Sequence, residues 1–136
     1  MDKNPHKERY ENNNDVFIHI RLTDATQFNP GIDYYLKAIA RINFNKMFLS
    51  TDQIDHPIIN EIRTMYPQCI IIDTDEIDTF QFGSTCKHII LSGGSFSANI
   101  GFLAFYSNIT YPTYPKDTHW WHGDMFSIPR WNELQY

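Results

Sequence analysis

Short, unbroken apolar runs alternate with segments of helical periodicity along this chain, and that alternation limits the folds open to it. Val16–Ile20 and Lys46–Ser50 are the first two such runs. A strand without polar alternation is typical of a strand that is buried on both faces. Strands of this kind, separated by helices, predict an α/β fold in which helices cover both faces of a parallel sheet.

The rest of the chain continues the same alternation. We expect the second helix to turn one apolar group of residues towards the core, namely Ile58, Ile59, Ile62 and Met65. The predicted elements after the first strand are a helix over about 34–43 capped by Asp33, the strand at 46–50, a helix over Pro57–Tyr66, a strand at Cys69–Ile72, a short helix or turn at Phe80–Cys86, a strand at Ile89–Leu91, and a helix from Ser95 to about Ser107.

The two ends of the chain depart from this pattern. Residues 1–15 are charged and rich in Asn, which predicts a flexible N-terminal lead-in. Residues 16–136 are then expected to form a single domain. After Asn108 the sequence loses its period, so we predict an irregular C-terminal tail laid over the sheet, with Phe126–Leu134 as a last short element.

Charge and composition exclude several classes of function. A net charge of −5 argues against nonspecific binding to nucleic acid or to an anionic membrane surface, because both need clustered Lys and Arg. No run approaches the roughly 18 apolar residues of a membrane span. The polar start of the sequence lacks the apolar core of a signal peptide, which indicates a cytoplasmic protein. Cys69 and Cys86 have no metal-ligand spacing.

The stretch Lys87–Tyr106 combines an apolar strand, a glycine turn and the start of a helix. Free backbone N–H groups and the positive end of a helix dipole would there face one point, and glycine lets an anion approach the backbone. The turn residues are Ser92, Gly94, Ser95, Phe96 and Ser97, with no Lys of the P-loop kind. A tight strand-to-helix turn that merely needs glycine is the alternative reading.

His19 and Arg21 close the first strand. Strand alternation places them on one face, where a guanidinium can make a bidentate contact with phosphate oxygens. Carboxyl ends of parallel strands meet at one edge of the sheet, so Arg21 and the Ser95 turn are expected to converge there on one anion, such as a diphosphate. The alternative is a structural pair between Arg21 and Asp24, with His19 hydrogen-bonded in the core.

Other polar clusters are weaker candidates. Asp73, Asp75, Glu76 and Asp78 form an acidic patch in which one carboxylate could contact a base or a ribose, although a solvated loop with one helix cap explains most of it. We expect no metal site, because no His or Asp pair has a recognisable ligand spacing. Lys87-His88 precedes the fourth strand and therefore lies at the opposite edge from the predicted anion site.

Two motifs together resemble the α-1,2-fucosyltransferases of glycosyltransferase family 11. VFIHIRLTDA is similar to the family's strand ending in a His-x-Arg-Arg-Gly-Asp-like motif, and CKHIILSGGSFSANIGFLAF is similar to its Cys-x-His-apolar run before a small-residue turn and a helix. KMFLSTD and Pro129-Arg130-Trp131 resemble further family segments, so the similarity covers roughly 16–134.

The resemblance implies a Rossmann-like domain equivalent to the C-terminal, donor-binding half of a GT-B glycosyltransferase. GDP-fucose would be the donor substrate, a galactoside-type glycan the acceptor, and inversion would occur without a metal or another cofactor. His19 and Arg21 would carry the catalytic roles, and Asp78 would face the guanine. The implied donor-site residues are Arg21, Asp24, Asp78, Ser92, Gly94, Ser95, Phe96 and Ser97.

The sequence departs from the family pattern in ways that keep a second function open. The family's second Arg and its Gly are here Leu22 and Thr23, so one positive charge is missing. Nothing before residue 16 resembles an acceptor-side domain. Three interpretations are open: a fragment, a minimal enzyme whose acceptor site a protein partner or an oligomer supplies, or a decayed relative. A non-catalytic nucleotide-sugar-binding module is therefore the alternative, and an unrelated phosphate ligand is a third reading.

Overall fold

A computed structural model describes residues 4–22, 31–92, 100, 104, 107–112 and 131–134. A short 3-10 helix, Lys7–Arg9, precedes the first strand. The strands and helices that follow, in chain order, are β1 (Val16–Ile20), α1 (Ile32–Ala40), β2 (Met47–Thr51), α2 (Pro57–Met65), β3 (Ile70–Ile71), α3 (Glu76–Gly83), β4 (His88–Ile90), β5 (Asn108–Pro112) and β6 (Asn132–Leu134).

The strands form one parallel sheet in the order β3-β2-β1-β4-β5-β6. Each neighbouring pair is parallel, from β2 beside β3 to β5 beside β6. This is the 3-2-1-4-5-6 order of Rossmann domains. β1 lies between β2 and β4, and all five of its residues are buried. The predicted α/β, Rossmann-like architecture is confirmed.

Helices α1 and α2 cover one face of the sheet. Their apolar side chains pack with Ile18 and Leu49 in a core that includes Tyr34, Ile39 and Ile59. The helix predicted at Pro57–Tyr66 is present with almost the same bounds, and His56 caps it by accepting a hydrogen bond from the backbone N–H of Ile58. The inward placement expected for Met65 is wrong, because its side chain is 56% exposed at the end of the helix.

A second core lies on the other face of the sheet. Phe17, Phe48 and Ile89 pack there with Ile100 and Ala104, which follow β4 in the chain. Helix α3 lies on this face and comes so close that a Cβ added to Gly83 would meet the ring of Phe17 at 2.9 Å. The sheet is therefore covered from both sides, as expected of an α/β fold with three layers.

Two expectations about the strands need correction. Among the described strands β3 pairs with β2 alone and lies at the edge of the sheet, so it is not buried on both faces and its Ile70 is 42% exposed. The predicted irregular C-terminal tail contributes β5 and β6 to the sheet. In β5 the buried Ile109 and Tyr111 alternate with the more exposed Asn108 and Thr110, a strand pattern that the surrounding Tyr and Pro residues obscure.

The N-terminal segment 4–15 also differs from the flexible lead-in that the sequence predicts. Asn4 is buried and donates a hydrogen bond to the backbone oxygen of Gln81 in α3. Asn13 donates to the backbone oxygen of Thr85 and accepts from the backbone N–H of Lys87. Polar composition misleads here because Asn side chains form hydrogen bonds with the backbone of α3 and of the turn that follows it.

Arg9 fastens this segment to the body of the domain. Its guanidinium lies 2.8 Å from Asp15 Oδ2, donates to Thr85 Oγ1 at 3.1 Å, and stacks over the Phe82 ring with its Cζ atom 4.7 Å from the centroid. The Asp15 side chain is only 7% exposed, and its other oxygen accepts the backbone N–H of Lys46 at the start of β2. Arg9 and Asp15 thus join the N-terminal segment, α3 and β2.

Replacing Arg9 should destabilise the whole domain. Arg9→Ala leaves the buried Asp15 carboxylate without its cation and exposes the Phe82 ring, so we expect a loss of about 2 kcal/mol in the free energy of unfolding. Urea denaturation followed by circular dichroism measures this loss.

Lys7→Ala is the matched control, because Lys7 is an exposed cation of the same 3-10 helix. It should change the free energy of unfolding by less than about 0.5 kcal/mol. Asp15→Asn should reduce the effect of Arg9→Ala, since the carboxylate charge is then absent. An Arg9→Ala variant as stable as Lys7→Ala would show that the segment contributes nothing to stability.

Candidate functional site

The strand order places a topological switch point at the carboxyl ends of β1 and β4, and we call this edge of the sheet the crevice. The chain proceeds outwards from β1 to β2 and β3, then returns to place β4 on the other side of β1. In open α/β sheets the connections diverge at such a switch point, and ligands bind there beyond the carboxyl ends of the strands. Arg21 and Leu22 leave β1 at this edge, and Leu91 and Ser92 leave β4 beside them.

His19 and Ser92 meet at the base of this crevice. His19 Nδ1 lies 3.4 Å from Ser92 Oγ, and the two residues are 6% and 1% exposed. His19 is the residue before the last in β1, and it pairs with Ser50 of β2 in the strand register. The sequence predicts that the residues closing the first strand and the turn after the fourth strand converge at one edge of the sheet, and the structure brings the His19 and Ser92 side chains together.

Burial decides the charge of His19. Loss of hydration lowers its pKa to about 3, while the Asp52 charge acts to raise the pKa and the Arg21 charge acts to lower it. The imidazole is therefore neutral at physiological pH. A group whose conjugate acid is this strong is a poor general base, so the geometry suits His19 to hydrogen bonding and positioning rather than to proton abstraction.

Asp52 is a further residue of this edge. It follows β2, and its Oδ1 accepts the backbone N–H of Leu22 at 2.7 Å, which holds the chain leaving β1 against the end of β2. The signal for Asp52 was present in the sequence, because Ser50-Thr51-Asp52 ends the second apolar run at the same edge. Leu22 itself is 1% exposed and belongs to the core, so no charged side chain is accommodated at that position.

Tyr34 supports the β4 side of the crevice from α1. Its hydroxyl donates to the backbone oxygen of Leu91 at 2.6 Å and lies 3.3 Å from the backbone oxygen of Thr110. Leu91 immediately precedes Ser92, and its backbone N–H donates to Thr110. Helix α1 thereby fixes the path of the chain where it enters the glycine turn.

The predicted site residues fall into three groups. His19, Arg21 and Ser92 come together at the crevice. Asp78 lies in the first turn of α3, where its Oδ1 is 3.1 Å from His6 Nε2, and its proposed contact with a guanine stays a prediction. The remaining five lie outside the described residues, namely Asp24, Gly94, Ser95, Phe96 and Ser97.

Comparisons with known proteins identify no family for this chain. No family model matches the sequence, and a search of curated proteins finds no significant match. Within the described ranges, no three His, Cys, Asp or Glu side chains are grouped so that they could hold a metal ion. Each helix in the same part of the chain is too short or too polar to cross a bilayer.

The low pKa of His19 should be visible in the pH dependence of stability. The folded-state pKa is below the unfolded value, so the unfolded chain takes up the proton first. The contribution of neutral His19 to the free energy of unfolding is fully present above about pH 6.5 and is lost as the pH falls towards 3. Between pH 7 and pH 5 the wild type should lose about 2 kcal/mol more than His19→Asn, measured by urea denaturation.

The imidazole resonances of His19 provide an independent check. Their chemical shifts in NMR spectra should stay constant down to about pH 4, since the proton binds only near the lowered pKa. A titration midpoint near 6.5, together with equal pH dependence in the wild type and His19→Asn, would contradict the buried neutral state.

Proposed function

We propose that the crevice between β1 and β4 binds the diphosphate of a nucleotide sugar. The chain would then bind the donor, GDP-fucose, in a fucosyl transfer. The observation that carries this proposal is the convergence of His19, Arg21 and Ser92 at the switch point of a Rossmann-like sheet. The motif resemblance to the α-1,2-fucosyltransferases supplies the identity of the donor.

Arg21 is the proposed diphosphate ligand. It leaves β1 at the crevice, and its charge acts on His19, so it lies near the base of the site. A guanidinium makes two parallel hydrogen bonds to phosphate oxygens and retains its charge at all physiological pH values. We assign Ser92 and the glycine turn that follows it to the same diphosphate, with backbone N–H groups as donors.

The proposed reaction is a direct displacement at the anomeric carbon of fucose. A hydroxyl oxygen of a galactoside forms the new bond to that carbon, the bond from the carbon to the diphosphate oxygen breaks, and GDP leaves with the electron pair. Arg21 stabilises the negative charge that develops on GDP. The hydroxyl proton passes to a base other than His19, because a pKa of about 3 makes the His19 imidazole a weak proton acceptor.

A non-catalytic nucleotide-sugar-binding module is the second candidate. The observation that favours it is the burial of Leu22, because the family motif has a second Arg at this position. One missing electrostatic stabiliser of a leaving group costs on the order of a hundredfold in rate. Binding would persist through Arg21, while turnover would be slow or absent.

Calorimetric titration with GDP and GDP-fucose tests the proposed site. Both ligands should bind to the wild type, and Arg21→Ala should weaken binding by about tenfold or more through loss of the charged hydrogen bonds. Arg63→Ala removes an exposed Arg on α2 and serves as the control, with an expected change below about twofold. No binding of either ligand at millimolar concentration would refute the donor site.

Turnover distinguishes the enzyme from the binding module. GDP release from GDP-fucose is measured with and without a β-galactoside acceptor, using protein shown by calorimetry to bind the donor. Release that depends on the acceptor and is lost in Arg21→Ala supports the transferase. Donor binding without hydrolysis or transfer identifies the module instead.

A further inference from the structure

A polar cavity of about 530 Å³ lies at the amino-terminal edge of the sheet, opposite the crevice between β1 and β4. The end of α1 forms one wall through Arg41 and Ile42, and the starts of β4, β5 and β6 form the floor. Small-molecule sites in proteins commonly have volumes of about 300–1,000 Å³. The function proposed above uses none of these residues.

The floor of the cavity is polar where a covered sheet would be apolar. In the strand register His88 lies beside Asn108, and Thr110 beside Asn132, and all four line the cavity. The next positions on the same face, such as Ile90 of β4, belong to the buried core. A helix packed on these strands would require apolar side chains, so this polar patch favours a hydrophilic ligand.

The charge of the lining is opposite to that of the chain. Arg41 and Lys87 line the cavity, and the lining within the described residues contains no Asp or Glu, although the chain carries a net charge of −5. No carboxylate of the described residues forms an ion pair with either cation. The carboxyl end of α1 contributes only about half a negative charge, which two full positive charges exceed. The cavity therefore attracts an anion.

The remaining polar groups match the hydroxyl groups of a sugar. His88 Nε2 lies 3.2 Å from Asn14 Oδ1, and since an amide oxygen only accepts, Nε2 carries the proton and the neutral ring can accept through Nδ1. Asn132 donates to the backbone oxygen of Ile109, which leaves its own Oδ1 as an acceptor. The described lining has no Phe, Tyr or Trp on which a nucleobase could stack.

We propose that this cavity is a binding site for a small sugar phosphate. Arg41 and Lys87 hold the phosphate, while His88, Asn108 and Asn132 form hydrogen bonds with the sugar hydroxyls. Both cations are exposed and each contributes modestly, so affinity in the millimolar range is expected. The ligand is distinct from a nucleotide sugar, because it binds at the other edge of the sheet and needs no base pocket.

NMR titration of the full, isotopically labelled chain tests the proposal with glucose 6-phosphate, glucose and inorganic phosphate as separate probes. Glucose 6-phosphate should shift the backbone amides of His88, Asn108 and Asn132 and bind about fivefold tighter than either other probe. No shift at these positions up to about 20 mM would overturn the proposal. Phosphate that binds as tightly as glucose 6-phosphate would overturn it too, because the sugar would then contribute nothing.

Matched variants test whether the two cations of the cavity contribute to binding. The double variant Arg41→Ala/Lys87→Ala should weaken glucose 6-phosphate binding by about tenfold, whereas Lys46→Ala, an exposed lysine at the same edge but outside the cavity, should change it less than about twofold. Equal effects of these two variants would show diffuse surface attraction and would contradict the site.

A second pair of variants adds a charge without removing a cation. Asn108→Asp places a carboxylate in the cavity and should abolish measurable binding through repulsion of the phosphate, whereas the exposed Asn45→Asp should leave it nearly unchanged. GDP should bind together with glucose 6-phosphate, and displacement of one by the other would refute two separate sites. Failure of GDP to bind leaves the result at this cavity unaffected.

Discussion

The pairing of β1 with strands on both sides is the constraint on which the rest of the molecule depends. β1 joins β2 through five register pairs and β4 through three, and each of its residues is buried. Because the neighbours of β1 lie on opposite halves of the sheet, their connections diverge beyond its carboxyl end. That divergence places the crevice at His19 and Arg21 and leaves the amino edge for the N-terminal segment and the polar cavity.

Much of the fold could be predicted from the sequence because the buried strands carry a strong local signal. The apolar runs predict β1 and β2 to within one residue, and helical periodicity predicts α2 to within one residue at its end. The exposed Ile70 of β3 and the exposed Met65 could not be predicted, since exposure depends on which strand is at the edge and where a helix ends. Long-range pairing decides both.

The candidate site was only partly accessible to sequence reasoning. Strand alternation identified His19 and Arg21 as neighbours, and the glycine turn indicated Ser92. The neutral state of His19 could not be derived, because it results from burial, which depends on how the strands and helices pack together. The sequence indicates Asp52 at the end of the second strand, but not its hydrogen bond to the Leu22 backbone, which joins two strand ends about thirty residues apart in sequence.

The attachment of residues 4–15 to the region around 81–88 has a consequence for the order in which the domain folds. Asn4 bonds to Gln81, Asn13 to Thr85 and Asn14 to His88, each across more than seventy residues of chain. During synthesis β1 emerges well before β4, one of its two partners, and well before the groups that form hydrogen bonds with the N-terminal segment. Closing so long a loop carries an entropic cost before these contacts form, which slows folding. A ribosome-bound chain that ends before β4 therefore exposes β1, whose residues are all buried in the folded domain, along one whole edge, where another nascent chain or a chaperone would contact it.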